Sequence, residues 1–244
     1  MRITIAYLHH NCFLFACGPR TLLFDPQAPA LLPAEARSVL EAAIRGADLV
    51  VLASHGHPDH FDPEIARLAA PAARARFVLS DDIADLLPES VPEGALVAGP
   101  DEEHEAFGLT VRTFESNDLG LAFLLRIGGA AVYFGGDLAC WDWESAAPAE
   151  RDFSRRFFAG HLARLAGIRI DAAFSNLDRR LVSLAGGLEL ARTLRPGLFV
   201  PMHCFGEVAW LADLPESAVP AGTDIFRYAR PGDSRTIEAP DTHS

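Results

Sequence analysis

Short apolar runs alternate with polar turns along the chain, interrupted by a few stretches of helical period. Ile3, Ile5 and Tyr7 alternate with small or polar residues and predict a first strand. Asn11 to Ala16 and Thr21 to Phe24 form a hairpin around Cys17-Gly18-Pro19-Arg20. Pro33 to Arg45 has helical period, with Val39, Leu40, Ala43 and Ile44 on its inner face and Gly46 past its end. Asp48 to Ala53 is a short apolar run, predicted as a buried strand. Asp62-Pro63-Glu64 starts a helix to Ala70, with Asp62 as N-cap and Pro63 at the first helical position. Arg76 to Leu79 is a strand, and Ser80 caps a helix to Leu87. Pro88 to Glu105 is acidic and loop-rich around a strand at Leu96 to Ala98, with His104 on the surface.

The second half repeats the pattern. Strands are expected at Leu109 to Phe114, Leu121 to Ile127 and, after the Gly128-Gly129 turn, Ala131 to Phe134. Ala149 to Ala166 is an amphipathic helix whose inner face is assigned to Phe153, Phe157, Leu162 and Leu165, with His161 structural. Then come a strand at Ile170 to Phe174, a helix at Gly187 to Leu194, a last core strand at Leu198 to Pro201, a helix at Glu207 to Leu214 and a closing strand at Asp224 to Tyr228. Without a linker or tandem repeat, the expectation is one domain over residues 1–244. It has two similar βββ…αβα lobes, about 1–107 and 108–238, and a polar, frayed tail at 239–244.

Composition narrows the function classes. Half of the 244 residues are hydrophobic, enough for a sizeable core, and the net charge of −12 argues against a nucleic-acid groove. A small-molecule substrate is the expected partner, with no nucleic acid and no membrane; oligomeric state is not readable. There is no apolar run long enough for a membrane span and no N-terminal signal pattern. Cys12, Cys17, Cys140 and Cys204 form no Cys-X-X-Cys and are taken as reduced thiols of a cytoplasmic protein, the last two as small core residues.

The chemistry concentrates where the Asp48–Ala53 strand breaks into Ser-His-Gly-His-Pro-Asp-His. Pro58 removes a backbone donor and Gly56 relaxes the chain, so the strand cannot continue. Imidazole and carboxylate are the ligands that zinc and similar first-row ions prefer. His55 and His57, two apart, can point to one side, while Asp59 and His60 turn toward a neighbouring point. One loop can thereby serve two metals roughly 3.5–4 Å apart, the spacing of two-metal hydrolysis. The bland alternative is a polar turn of solvated histidines.

His55-Gly56-His57-Pro58-Asp59-His60 resembles the signature of the metallo-β-lactamase superfamily of metallohydrolases. The resemblance implies an α/β fold (α+β by some schemes), a four-layer αββα sandwich of two mixed sheets with the metal site at one edge. Gly135-Gly136-Asp137 matches the family's Gly-Asp element, whose carboxylate bridges both metals. Pro201-Met202-His203, ending an apolar strand, matches the final histidine ligand. The resemblance also places His10 in a turn facing the site, against a solvated turn histidine, and makes Asp25 a buttress of the histidine loop, against a turn aspartate before proline. Asp178, at the end of a neighbouring strand, is expected to contact the ligands or the substrate.

The sequence departs from the family at one place. A third histidine for the first metal should stand some 20 residues before Asp137, where the chain reads Glu115-Ser116-Asn117-Asp118-Leu119-Gly120. This is similar to a lactonase-like bacterial branch with Ser-Thr-Asp-X-Gly there and an aspartate-leucine element followed by tryptophans, as in Asp137-Leu138-Ala139-Cys140-Trp141-Asp142-Trp143; Asp142 stands where that branch more usually has histidine. His55, His57 and Asp137 remain for one metal, completed by Asp118 or water, and Asp59, His60, Asp137 and His203 make the fuller set. Asp118 as a ligand shifts preference toward manganese or iron. The favoured expectation is instead that Asp118 caps the local turn, with Asn117 or Ser116 nearer the cleft. The implied function is a zinc-dependent hydrolase with one or two ions. It would use metal-bound hydroxide, oriented by Asp59, on an ester, lactone, amide or phosphodiester. A degenerate metal-binding or ligand-sensing module is the alternative, and redox chemistry at a di-iron site a third reading, for which no fused flavin-binding domain is seen.

Overall fold

The structure is a computed structural model, and it describes residues 1–240. Two seven-stranded mixed sheets face each other. The first contains β1 (Arg2–His9), β2 (Cys12–Cys17), β3 (Arg20–Phe24), β4 (Asp48–Ala53), β5 (Arg74–Ser80) and β6 (Leu96–Ala98). The second contains β7 (Glu103–Ala106), β8 (Leu109–Glu115), β9 (Leu121–Ile127), β10 (Ala130–Phe134), β11 (Ala172–Asn176), β12 (Leu198–Met202) and β13 (Asp224–Ile225). A last strand, β14 (Ser234–Glu238), returns to pair antiparallel with β1. Helices α1 (Ala34–Ile44), α2 (Ile65–Ala69) and α3 (Asp81–Leu86) belong to the first half, and α4 (Pro148–Leu165) and α5 (Gly187–Leu194) to the second.

Strand alternation explains the four layers. In β4, Val50 and Leu52 enter the core between the sheets, while Leu49, Val51 and Ala53 pack outward with Leu40, Ile44, Ile65 and Ile83 of the helices. In β10, Val132 and Phe134 face inward and Tyr133 packs outward with Phe158 and Leu162 of α4. Strands covered on both faces read as unbroken apolar runs, which is why their periodicity is weak. Phe24 stacks on Phe134 across the sandwich at 4.6 Å between ring centroids. The sheets and flanking helices form the αββα sandwich expected from the resemblance.

Topology places the chemistry. β3, β4, β5 and β6 run parallel, as do β10, β11, β12 and β13. Their carboxyl ends lie at one edge of the sandwich, where open α/β sheets put their ligands. The edge is sutured by Ser54, whose carbonyl oxygen accepts a hydrogen bond from Leu121 N–H at 2.8 Å, joining the end of β4 to the start of β9.

Several local expectations are corrected. Asp62 accepts from Glu64 N–H at 3.0 Å in a turn that precedes the helix, and α2 starts only at Ile65. Ser80 stands at the N-cap of α3 as expected, but its hydroxyl makes no cap bond and donates to the Asp82 carboxylate instead. Leu162 and Leu165 of α4 are buried as expected, but in its first half the buried residues are Ser154 and Phe158, one on from Phe153 and Phe157, so Phe153 is 55% exposed. Residues 207–214 contain a 3₁₀ turn at Ala209–Asp213 in place of an α-helix, and the closing strand is only Asp224–Ile225. β7 and β14 escaped notice because both are polar edge strands, Glu-His-Glu-Ala and Ser-Arg-Thr-Ile-Glu, with little apolar alternation. Sheet membership shifts the lobe boundary to just before Glu103 and sends β14 back to the first sheet. Ala239 is buried and its N–H bonds the Met1 carbonyl, so the expected fraying does not begin there; residues 241–244 of the expected tail lie outside the described residues. All four cysteines are buried and free.

Gly120 gives a test of the suture. Its φ is +68°, and an added Cβ would lie 2.0 Å from the Ser54 carbonyl oxygen and 2.6 Å from His55 Cβ. Gly18 has φ +57° but open space around it. Gly120→Ala should lower stability by on the order of 3 kcal/mol, combining left-handed strain with overpacking, whereas Gly18→Ala should cost about 1 kcal/mol. Denaturant midpoints measure both; equal losses would contradict the close approach at Ser54.

Candidate metal centre

Each strand end delivers one or two side chains to the same edge. The turn between β1 and β2 brings His10 and Asn11, and the residue after β3 is Asp25. The loop after β4 brings Ser54 to His60. The β8–β9 loop brings residues 116–120, and the segments after β10, β11 and β12 bring Asp137, Asp178 and His203. His10, Asp25, His55, His60, Asp137, Asp178 and His203 are all buried. Polar residues ending otherwise apolar strands are buried here because they face one another.

The centre is one carboxylate oxygen. Asp137 Oδ2 lies 3.8 Å from His55 Nε2, 3.4 Å from His60 Nε2 and 3.5 Å from His203 Nε2. The other oxygen, Oδ1, accepts from Asn11 Nδ2 at 3.3 Å and from Asn176 Nδ2 at 3.2 Å. Asn11 also donates to the Gly136 carbonyl at 3.2 Å and accepts from His203 N–H at 2.7 Å, so one amide ties the first lobe to both elements of the second. Trp141 Nε1–H donates to the Asp137 carbonyl oxygen at 2.9 Å.

Hydrogen bonding fixes the imidazole tautomers. Ser54 Oγ–H donates to Asp25 Oδ2 at 2.8 Å, which leaves its lone pair for His55 Nδ1–H at 2.9 Å. Ser54 N–H reaches Asp25 Oδ1 at 2.8 Å. His60 Nδ1–H donates to Asp25 Oδ2 at 2.8 Å, and His203 Nδ1–H donates to Asp178 Oδ2 at 3.2 Å. Outer partners of this kind set the orientation and basicity of metal-binding histidines. All three rings thus present Nε2 to the interior, and Nε2 of His55 and of His60 is buried without a hydrogen-bond partner. Donor atoms sharing a tetrahedral zinc-type ion at about 2.0–2.1 Å sit about 3.3 Å from each other. The separations around Asp137 Oδ2 are long for hydrogen bonds and suited to donors around ions, so the residues fit a metal.

His10 is the exception. Its Nδ1 accepts Phe205 N–H at 3.3 Å, which puts the proton on Nε2, 3.4 Å from Asp59 Oδ2. His10 Nε2 lies within 4.8 Å of ligand atoms of His60 and His203, but a protonated nitrogen is a donor and not a ligand. His10 is held at φ +51° in its turn, with its ring toward Asp59. Asp59 is further fixed through its carbonyl oxygen by Gln27 Nε2–H at 2.8 Å.

Electrostatics follow burial. Burial pushes His10 down to about 4 and His55 down to about 3, keeping both neutral. Burial also acts against the charged form of His60, but Asp137 and Asp25 override it and hold the group up at about 9. His203 is raised despite burial, by Asp137 and Asp178. Asp137, although buried, is held well below the usual carboxylate range by His60, His203 and His55. Asp59 is lowered, chiefly by His10.

The β8–β9 loop differs from the favoured expectation. Ser116 takes the turn role, its Oγ accepting Asp118 N–H at 3.2 Å. Asn117 faces away from the cleft and brackets Ala139, donating to its carbonyl at 2.8 Å and accepting its N–H at 3.1 Å. The residue aimed at the site is Asp118, whose Oδ2 lies 3.8 Å from His57 Nδ1. Sequence reading also missed Asn11, Ser54 and Asn176, and Asp82, which accepts Gly56 N–H at 2.8 Å and holds the histidine loop from the α3 side. The available signal was a polar residue at the end of an apolar strand.

Beside His203 opens a cleft of about 440 Å³, lined by Leu177, Asp178, Arg180, His203, Phe205 and Trp210 among others. Arg180 Nε–H donates to Asp178 at 2.9 Å, and its guanidinium lies over Phe205 at 4.5 Å and Trp143 at 5.3 Å. No helix among the described residues is long and apolar enough to cross a membrane.

The comparisons agree with the architecture. Residues 4–151 match the family model described as a beta-lactamase superfamily domain. Among solved structures, the chain is similar to Igni18, a metallo hydrolase from the archaeon Ignicoccus hospitalis, at 19% identity and TM-score 0.65, covering 98% of this chain and 99% of that one. It is similar to the metallo-beta-lactamase fold protein YhfI from Bacillus subtilis at 14% identity and TM-score 0.64, over 97% and 99%. It also resembles CmlA, a diiron beta-hydroxylase from Streptomyces venezuelae, at 16% identity and TM-score 0.53, over 96% of this chain and 54% of that one. No curated protein matches. At these identities the structures speak for the fold; the family model spans more than half of the sequence, and the chain belongs to the beta-lactamase superfamily.

Proposed function

We propose that this protein is a metal-dependent hydrolase acting on a small ester, lactone, amide or phosphodiester substrate in the cytoplasm. The observation that carries this is the convergence of the His55, His60 and His203 Nε2 atoms on Asp137 Oδ2, with Nδ1 of each ring held by an outer oxygen. His55, His57 and Asp137 would hold one zinc-type ion, and Asp59, His60, Asp137 and His203 a second. Such ions supply Lewis acidity, lowering the pKa of water to about 7 and polarising a carbonyl or phosphoryl oxygen. The residues supply the rest. Asp59, half-exposed beside His10 and His60, would orient the attacking water. The Gln27 amide holds the Asp59 backbone, and His10 Nε2 lies 3.4 Å from its carboxylate. Asp178 locks the His203 ring, and Arg180 and Phe205 line the cleft next to it.

The first test is metal content and turnover together. His203→Ala and Asp137→Ala should each lose at least one ion by elemental analysis, and Asp178→Asn should weaken metal affinity by about 10–100-fold. Asp59→Asn should lower kcat by about 10²–10⁴-fold on whichever member of an ester, lactone and phosphodiester panel the parent protein cleaves. Full metal content in both alanine variants would remove the assignment, and metal binding without cleavage across the panel would favour a ligand-sensing module.

The second test uses His60. Its raised pKa stabilises the metal-free fold; that stabilisation is complete below about pH 6.5, the unfolded value, and is lost as pH rises through about 9. Metal binding requires the neutral ring, so loading at pH 7.5 should release about one proton from this residue. Calorimetry in two buffers of different ionisation enthalpy measures it, and zero release would show that His60 keeps its proton when metal binds.

A further inference from the structure

We infer that Asp118 is the third protein ligand of the metal position held by His55 and His57, so that a carboxylate stands where the family pattern has a third histidine. The inference rests on the metal-dependent reading above. Single ligand atoms of His55, His57 and Asp118 all lie within 4.8 Å of one another. The buried Nε2 of His55 has no hydrogen-bond partner and points into this space. The Asp118 carboxylate, 41% exposed, has His57 Nδ1 beside it at 3.8 Å. A carboxylate beside two imidazoles is a donor set suited to a first-row cation.

Its loop is built to hold it there. Ser116 N–H bonds the Gly120 carbonyl at 3.1 Å and closes residues 116–120 into a tight turn. Ser116 Oγ fixes the Asp118 N–H, and Asn117 clamps the loop to Ala139, two residues beyond Asp137. Gly120 lets the loop lie directly on the Ser54 carbonyl that precedes His55. The carboxylate is therefore positioned against both neighbouring ligand elements by bonds that do not involve the carboxylate itself.

Ligand chemistry then sets the metal. With Asp137, the position becomes two imidazoles and two carboxylates, in place of three imidazoles and one carboxylate. Two histidines and a carboxylate are the facial set of non-haem iron(II), and oxygen-rich sets suit manganese. The exchange narrows the preference for zinc over manganese or iron(II) at this position and leaves the one at His60 and His203 as it was.

The test reads metal binding and not turnover. Metal-free protein is titrated with Mn²⁺, followed by the paramagnetic resonance of the free ion, and with Zn²⁺, against a chromophoric chelator. The parent chain should bind two ions. Asp118→Ala should weaken one of them on the order of a hundredfold or more, since loss of a ligand exceeds the loss of an outer partner. The other ion should be unaffected, and so should the melting temperature of the metal-free protein. Asp118→His should restore two zinc ions and raise the zinc-over-manganese ratio at the restored position. Wild-type affinity for both ions in Asp118→Ala, with an ion lost in His203→Ala, would overturn the inference and leave the centre standing. Retention of both ions in Asp118→Ala, His55→Ala and His203→Ala alike would overturn the metal reading as well.

Discussion

Everything at the site is arranged around a buried negative charge. Asp137 is 5% exposed, and an ionised carboxylate at that depth is expensive unless it is paired. Two amides satisfy one oxygen and three imidazoles surround the other. None of these partners is near Asp137 in sequence. They come from the β1–β2 turn, the loop after β4 and the ends of β11 and β12, so the charge can be compensated only when both sheets are packed and in register. The stacked Phe24 and Phe134 rings and the Ser54–Leu121 hydrogen bond hold that register.

The sequence made the site more legible than the packing around it. Ligand-type residues stand out because histidine and aspartate at the end of an apolar run have few structural uses, and the loop from His55 to His60 is contiguous. Strands buried on both faces were found from their apolar runs and glycine turns. The edge strands β7 and β14 were not, because an edge strand carries charge to avoid pairing with other chains and so loses the apolar signal. The first half of the inner face of α4 was misplaced by one residue because Ser154 is buried and polar, as is His161, bonded to Tyr133 Oη at 2.9 Å. Periodicity counts apolar residues and cannot see a satisfied polar one.

The supporting shell was hidden for another reason. Asn11, Ser54, Asn176 and Asp82 are ordinary polar residues whose work appears only in three dimensions. Ser54 shows the difficulty. Its hydroxyl donates to Asp25 and accepts from His55, and that polarity decides which histidine nitrogen is left for a ligand. His10 and His203 look alike in the sequence, each following a strand, yet the Phe205 N–H and the Asp178 carboxylate give them opposite tautomers. A donor on one ring and an acceptor on the other turn His10 Nε2 toward Asp59 and His203 Nε2 toward Asp137.

With Asp118 as a ligand, the charge balance of the centre changes. Asp59, Asp118 and Asp137 bring three negative charges, and the histidines His55, His57, His60 and His203 are neutral when they bind metal. Two dications then leave a single positive charge, where a third histidine would leave two. A less positive centre is a weaker Lewis acid and attracts an anion less strongly, and the chain's overall charge of −12 does not help. The nearest compensation is Arg180, whose guanidinium is clamped by Asp178 and flanked by Phe205 and Trp143 at the cleft. Its charge is partly spent on Asp178, which is in turn the partner of His203. Arg180 is therefore tied to the centre through Asp178, the hydrogen-bond partner of His203.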